Sequence, residues 1–203
     1  PWAAFVAASA VLLIIPGPTI LTVISYSVVH GYKAKIPLVV AVSLGDSTAL
    51  ALSLLGLGVL LAESAFWFQT AKWIGGLYLI YLGIKLLRAG VRPPSISANK
   101  EKTSSWKLFI NTYSVTALNP KGIIFFVAFL PQFINTTTDV NAQLWLLAIT
   151  FVALATLNAT LYAIFASKAR QVLSSEKTHR TFNVSGGSLL SAAGIWALTA
   201  NQS

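Results

Sequence analysis

The chain has 203 residues, of which 56% are hydrophobic and 9% are charged, with a formal net charge of +9. Soluble domains carry about 25% charged residues, so this composition excludes a water-soluble globule and indicates a membrane protein. Cysteine is absent and only two histidines occur, which excludes disulfides, thiolate metal ligands and a histidine metal cluster. We therefore expect one membrane domain over residues 1–203, with no cofactor and no metal.

Six apolar segments are candidates for membrane-spanning helices, because roughly 20 apolar residues cross a bilayer as a helix. In chain order they are Trp2–Val29, Ile36–Leu61, Trp67–Leu87, Leu108–Ile134, Leu144–Ala166 and Val184–Ala200. The last is short and rich in serine, and alone it would equally fit an interfacial helix. A polar stretch at about residues 89–106 predicts a flexible linker between a first repeat, about 1–90, and a second, about 107–203.

The basic residues are concentrated in alternate connections, those after the first, third and fifth segments. Twelve of the 14 lysines and arginines lie there or at the adjoining helix ends. Basic connections lie on the cytoplasmic side of a membrane, so both termini are predicted outside the cytoplasm. The positive charge is thus explained by topology and by contact with anionic membrane lipid, which argues against binding to nucleic acid.

The third and sixth segments repeat a pattern of small and apolar residues. At a constant offset of 111, the matched positions are Gly75, Gly76, Leu79, Gly83, Ile84 and Leu87 with Gly186, Gly187, Leu190, Gly194, Ile195 and Leu198. Close helix contacts alone would explain small residues, but the shared register favours a duplicated unit. Three spans in each half would leave the halves inverted, as in secondary transporters. The predicted fold is an all-α integral membrane protein of six helices in two inverted three-helix repeats.

Matching proline motifs near the middle of the first and fourth segments predict that both helices are interrupted. Proline lacks a backbone donor and clashes with the carbonyl four residues earlier. Pro16 and Pro18, with Gly17 between them, should therefore free the carbonyls near Leu12 and Ile14. New half-helices should begin at Pro18 and, in the fourth segment, at Pro120, because proline suits the first position of a helix.

The depth of the two motifs predicts a binding site. Both lie about 20 Å from the ends of their segments, near the membrane midplane. We expect the half-helix starts to expose the Thr19 hydroxyl and the donors of Ile20, Leu21, Lys121 and Gly122. Because a helix start carries partial positive charge, these groups and the Lys121 ammonium predict an anion site that fits a carboxylate.

An aspartate in the second segment complements that site. Asp46 lies about 15 Å deep, where a charge costs at least about 2.5–3.5 kcal/mol. We expect it to face a cavity, a substrate ammonium or a transported proton; a structural ion pair with Lys121 is the alternative. Asn158 occupies the matching place in the second half and is expected to form a helix–helix hydrogen bond. Tyr78 and Tyr81 are expected to serve packing.

Several motifs occur in a characteristic order along the chain. They are Ile15-Pro16-Gly17-Pro18-Thr19, Gly45-Asp46, Gly75-Gly76-Leu77-Tyr78-Leu79 with Gly83-Ile84-Lys85, Leu118-Asn119-Pro120-Lys121-Gly122, and Phe129-Leu130-Pro131-Gln132-Phe133. Together they resemble the lysine-exporter/RhtB amino-acid efflux family over nearly the whole chain. The resemblance implies a bacterial inner-membrane protein that exports amino acids at the expense of the proton-motive force. The loop at residues 31–35 departs from it in lacking a second glycine.

These observations predict a proton-coupled exporter of a small amino acid. The predicted substrate-binding residues are Pro16, Gly17, Pro18, Thr19, Asp46, Asn119, Pro120 and Lys121. The carboxylate would bind the half-helix starts with Lys121, and the ammonium would pair with Asp46. Asp46 would also carry the coupling proton, which competes with the ammonium. A single membrane acid favours a neutral amino acid over a basic one.

Other functions are compatible with part of the pattern. A transporter of an inorganic cation or another small solute would use the same scaffold, although clustered metal ligands are absent from the sequence. An intramembrane enzyme would need a nucleophile with a base, and we find no such pair. A non-catalytic membrane scaffold would transport nothing. A homodimer is compatible with the sequence, which does not establish the oligomeric state, the amino acid or the direction of transport.

Overall fold

The computed structural model of the protein describes residues 2–63, 65–88, 103–135 and 137–199, and these form helices without any strand. In chain order the helices are α1 (Trp2–Ile14), α2 (Pro18–His30), α3 (Lys35–Glu63), α4 (Ala65–Arg88), α5 (Ser105–Ala117), α6 (Pro120–Ile124), α7 (Val140–Ile164), α8 (Ala166–Leu173) and α9 (Glu176–Thr199). A 3₁₀ turn, Gly31–Ala34, links α2 to α3. After α6 the chain continues through a π-helical turn, Phe125–Phe129, and a 3₁₀ turn, Leu130–Phe133.

Both predicted interruptions are present. The first segment is divided into α1 and α2, and the fourth into α5 and α6 with its continuation. The second, third and fifth segments correspond to α3, α4 and α7 to within a few residues at each end. Most of the predicted linker, residues 89–102, lies outside the described residues.

The connection between the fifth and sixth segments differs from the prediction. It contains a short helix, α8, and α9 begins at Glu176 rather than at Val184. One face of α8 packs on α2, where Leu173 is buried with Ile20 and Ile24. The hydropathy of the sequence indicated neither feature, because the basic residues of this stretch lower its hydropathy without breaking a helix.

Three helical stretches within the described residues are long and apolar enough to cross a membrane. They are Pro18–Gly56, Ser105–Phe133 and Val140–Ile164, with mean hydropathies of 1.9, 1.4 and 1.9. The first stretch includes all of α2 and most of α3. The α1 helix is apolar but has only 13 residues, so it spans about 20 Å. This is shorter than the hydrocarbon core of a bilayer, which is about 30 Å thick.

An aromatic cluster fixes α1 against the second half of the chain. Phe5 of α1 packs on Phe125 and Phe133, with ring centroids 6.2 and 5.3 Å apart. Phe126 packs edge-on against Phe151 of α7 at 4.7 Å. Lipid tails are as apolar as these side chains, so close van der Waals packing rather than exclusion of water stabilises the cluster.

The α4 and α9 helices cross at glycines. A Cβ on Gly83 would lie 2.6 Å from the Gly187 carbonyl oxygen, and one on Gly194 would lie 2.7 Å from the Gly76 carbonyl oxygen. Because Gly76 meets Gly194 while Gly83 meets Gly187, the two helices run antiparallel. Small residues let the two backbones approach this closely.

Candidate functional site

The first break lies between α1 and α2 and exposes the end of α1. Gly17 is extended, and Pro18 occupies the first turn of α2. The last carbonyls of a helix have no partner within it, and the prolines remove the donors that would continue the ladder. At membrane depth such carbonyls must be hydrogen-bonded inside the protein.

Lys121 caps two of these carbonyls. Its Nζ donates to the carbonyl oxygen of Leu12 at 2.6 Å and to that of Ile15 at 2.7 Å. The side chain passes beside Gly17, where a Cβ would lie 3.5 Å from Lys121 Cδ. The ammonium therefore sits at the electronegative end of α1, which favours a cation. Two of its three N–H donors are used, and the third is left for another acceptor.

Two residues of α7 cap the remaining carbonyls. Asn158 Nδ2 donates to the carbonyl oxygen of Leu13 at 3.0 Å, and the Tyr162 hydroxyl donates to that of Ile14 at 2.9 Å. The predicted helix–helix hydrogen bond of Asn158 is thus confirmed. Tyr162 was not identified from the sequence, since nothing in its spacing shows that it reaches α1.

The second break lies at Leu118–Asn119, and Asn119 caps the helix that follows. Its Oδ1 accepts a hydrogen bond from Lys121 N at 3.2 Å, and its backbone oxygen accepts one from Gly122 N at 3.1 Å. The expectation of free donors at Lys121 and Gly122 is therefore wrong. An asparagine directly before a proline is a common helix cap, and this signal would have predicted the result.

The start of α2 differs, because it has no side-chain cap. Leu21 N donates to the Gly17 carbonyl at 3.0 Å, so the expectation that it is free is also wrong. Within the described chain, the backbone N–H groups of Thr19 and Ile20 have no acceptor. The start of α2 thus keeps two donors at a positive helix end.

The two breaks are in direct contact. Asn119 Nδ2 donates to the Thr19 hydroxyl oxygen at 3.2 Å. The half-helices leave this point in opposite directions: α2 ends at His30, whose Nε2 accepts from Thr103 N at 3.1 Å, beside the start of α5. The helical stretch that follows α6 ends at Phe133, whose ring contacts that of Phe5 near the start of α1. Two opposed half-helix starts therefore share one location.

Asp46 faces a small cavity at this location. Its side chain is 9% exposed and has no hydrogen-bond or ion-pair partner among the residues that the structure describes. The cavity has a volume of about 40 Å³. Its polar lining side chains are Thr19, Asp46, Asn119, Lys121 and Asn158, and both Gly17 and Gly122 also line it. Asp46 and Lys121 therefore face the same space without forming a direct ion pair.

A larger cavity of about 360 Å³ adjoins the breaks. It shares Gly17, Asn119 and Lys121 with the small cavity. Pro16, Pro18 and Pro120 line it as well, together with Tyr78 and Lys85 of α4. The ring of Tyr78 also packs on that of Tyr81, with centroids 5.9 Å apart, in agreement with the expected packing role. Every residue predicted for the substrate site lines one or both of these cavities.

Comparison with known proteins identifies relatives along nearly the whole chain. The family model described as LysE type translocator matches residues 10–201. A homoserine/homoserine lactone efflux protein of Salmonella typhimurium is 29% identical over 201 residues, covering 99% of this chain and 97% of that protein. An uncharacterised membrane protein of Bacillus subtilis is 30% identical over 200 residues, covering 95% of each chain. No solved structure matches the chain.

Proposed function

The chain belongs to the LysE type translocator family, and from this premise we propose that it is a secondary active exporter of a small neutral amino acid, coupled to inward proton movement. The name of the Salmonella relative, which refers to efflux of homoserine and its lactone, supports an amino-acid substrate. The proposed location is a bacterial inner membrane, with both chain termini outside the cytoplasm. The concentration of basic residues in alternate connections supports this orientation.

The proposed architecture is six spans in two inverted repeats. The contacts of α4 and α9 support it, because the offset of 111 converts Gly76 into Gly187 and Gly83 into Gly194. If each residue of the contact between Gly76 and Gly194 is replaced by its counterpart in the other repeat, the result is the contact between Gly187 and Gly83, which the structure also contains. A pseudo-two-fold axis between antiparallel helices has this property. Interrupted helices at matching positions of such repeats are typical of secondary transporters.

One observation carries the proposed function: Asp46, which is buried and has no partner among the described residues, and the half-buried Lys121 face one cavity where two broken helices meet. An α-amino acid presents an ammonium and a carboxylate on one carbon. We place the ammonium against Asp46. The carboxylate accepts the third N–H of Lys121 and the free N–H groups of Thr19 and Ile20.

The size of the cavity requires a change of conformation. Ligand pockets usually measure about 300–1,000 Å³, whereas this cavity has a volume of about 40 Å³. The larger cavity reaches Lys85 in the last turn of α4, on the side that the basic residues assign to the cytoplasm. We propose that substrate enters from there and that the small cavity opens toward the outside in the alternate state.

Competition at Asp46 supplies the proposed coupling. A proton that reaches Asp46 from outside neutralises the carboxylate and removes its attraction for the substrate ammonium, so the substrate is released. The other acids whose side chains the structure describes, Asp139 and Glu176, are exposed. A basic amino acid would bring a second positive charge, for which the described acids offer no second buried partner, and this supports a neutral substrate.

The test is export from proteoliposomes by Asp46→Asn, with Asp139→Asn as the matched control. The Asp139 carboxylate caps α7 at the surface by accepting a hydrogen bond from Ala142 N at 3.2 Å. Asparagine is as good a helix cap as aspartate, so this variant should keep the cap. We expect the Asp46 variant to lose proton-driven export and the control to retain it. Undiminished proton-coupled export by Asp46→Asn would refute the proposal. A panel of labelled amino acids and divalent metal ions distinguishes amino-acid export from cation transport on the same scaffold.

A further inference from the structure

A groove on the surface of the helix bundle lies between the start of α3 and the end of α7. We call it the Lys35 groove; it has a volume of about 290 Å³, and its lining includes Lys35, Ile36, Val39, Val40, Ala163 and Ile164. Val39 and Ala163 pack on the buried side chains of Val42 and Ala159, so they form the floor. Ile36, Val40 and Ile164 are exposed. The groove is therefore apolar and faces the surroundings of the protein rather than its interior.

The polar groups that remain available in the groove lie where α3 begins. The hydroxyl of Thr160, which lines the groove from α7, donates to the Thr156 carbonyl oxygen at 2.7 Å and is thereby satisfied. The other polar side chains of the lining are Tyr32, in the 3₁₀ turn before α3, and Lys35, the first residue of α3. From Lys35 to Val40 the helix rises about 7.5 Å. The groove thus begins at a polar helix end and continues along an apolar stretch of a membrane helix.

Lys35 brings a positive charge without a counter-charge to the polar end of the groove. Its side chain is half-buried, and its Nζ lies over the Tyr32 ring, 4.7 Å from the ring centroid. Among the described residues, no acidic side chain and no hydrogen-bond acceptor pairs with this ammonium. The face of an aromatic ring attracts a cation but does not neutralise its charge. A positive charge at the mouth of an apolar groove fits a ligand with an anionic head and an apolar tail.

We propose that the Lys35 groove binds an anionic phospholipid, whose phosphate accepts hydrogen bonds from the Lys35 ammonium and whose acyl chain lies along Ile36, Val40 and Ile164. A lipid tail gains no hydrophobic free energy by leaving other tails for this groove. Selectivity therefore comes from the head group, whose negative charge complements Lys35. Basic pockets between membrane helices on the cytoplasmic side suit anionic head groups, and α3 begins on the side that we propose to be cytoplasmic. The groove shares no lining residue with the two cavities at the helix breaks, so the inference is independent of the transported solute.

Two pairs of variants test the head-group and tail contacts separately. Lys35→Gln removes the charge at the groove, and Lys33→Gln is its matched control, because Lys33 is exposed two residues earlier and does not line the groove. Val40→Trp fills the groove, and Leu44→Trp is its control, because Leu44 is equally exposed one turn further along α3 and lies outside the groove. Purified protein in a neutral detergent is titrated with phosphatidylglycerol, with phosphatidylcholine, or with phosphatidylglycerol in the presence of inorganic phosphate. Native mass spectrometry counts the lipids bound and the copies of the chain.

We expect the wild-type protein to bind one phosphatidylglycerol about fivefold more tightly than phosphatidylcholine, which is the contribution of one basic residue near an anionic lipid surface. Lys35→Gln and Val40→Trp should lose this preference, and both controls should keep it. An unchanged preference in Lys35→Gln would overturn the inference. So would an equal loss in the two lysine variants, which would indicate diffuse attraction to surface charge. Displacement of the lipid by inorganic phosphate would identify a soluble anion as the ligand instead, and a lipid-independent dimer that Val40→Trp abolishes would identify a second copy of the chain as the occupant.

Discussion

The side-chain amide of Asn119 donates a hydrogen bond to the hydroxyl of Thr19, 3.2 Å away, and this bond joins the two helix breaks. Asn119 simultaneously caps the helix that begins at Pro120. One residue therefore fixes the second half-helix start and attaches it to the first. Because Thr19 and Asn119 also line the cavity of Asp46, a movement of either half-helix changes the shape of the proposed substrate site.

Removing the acceptor of this bond should impair transport. Thr19→Val leaves the Asn119 amide without a partner at membrane depth, whereas Thr19→Ser keeps a hydroxyl in place. The lost bond corresponds to about 0.5–1.5 kcal/mol. We expect amino-acid exchange to fall several-fold in the valine variant and to stay near wild type in the serine variant. Equal rates for the two variants would show that the bond between the breaks has no role in transport.

Lys121 should be required for stability as well as for transport. Lys121→Met leaves the carbonyls of Leu12 and Ile15 without their donor, at about 1–3 kcal/mol for each buried unpaired group. The matched control is Lys107→Met, since Lys107 is exposed at the start of α5. Thermal unfolding in detergent should occur at a lower temperature for the Lys121 variant only. A Lys121 variant that unfolds like wild type would contradict the capping role.

Glycine substitutions should separate close helix contacts from open positions. At Gly83 a Cβ would meet Ser191 Oγ and the Gly187 carbonyl, whereas at Gly56 and Gly58 nothing lies within 4 Å. We expect Gly83→Ala to destabilise the protein by about 1–3 kcal/mol through overpacking. Gly58→Ala should stabilise it by up to about 1 kcal/mol, because alanine is the better helix former. Similar unfolding temperatures for both variants would contradict the α4–α9 crossing.

The orientation is testable because the chain contains no cysteine. Ser175→Cys introduces a thiol into the exposed connection between α8 and α9, and Thr137→Cys introduces one into the exposed turn before α7. A membrane-impermeant maleimide should label Thr137→Cys in intact cells. It should label Ser175→Cys only after the inner membrane is opened. The reverse pattern would invert the predicted topology and assign the cavity beside Lys85 to the outer side.

The sequence predicted the breaks but only part of their hydrogen bonding. Proline has no backbone donor, so the interruptions and the freed carbonyls of Leu12 and Ile14 follow from local chemistry. What binds those carbonyls depends on how α1 packs on distant helices. Lys121 and Tyr162 therefore were not predicted as caps. The free donors expected near Gly122 were an error of local reasoning, because Asn119 already has the sequence signature of a helix cap.

The positions of the helices were likewise predicted where they depend on the local sequence and missed where they depend on contacts with distant helices. Hydropathy located α3, α4 and α7, whose length and apolar character are properties of the segment alone. It missed α8 and the first turns of α9, where Lys168 and Arg180 lie in helices at the predicted cytoplasmic surface. Helix formation there depends on packing against α2, through contacts such as that of Leu173 with Ile24. A hydropathy profile contains no information on such contacts.

The central claim is that a proton and a substrate ammonium compete for Asp46, and proton release on substrate binding measures this competition directly. Purified protein in weakly buffered detergent solution is mixed with the exported amino acid while the pH is recorded. Linkage requires that a ligand which displaces a bound proton acidifies the solution. We predict acidification with the wild-type protein near the pH at which Asp46 is half protonated, and none with Asp46→Asn. Substrate binding without proton release across the whole pH range would contradict the account.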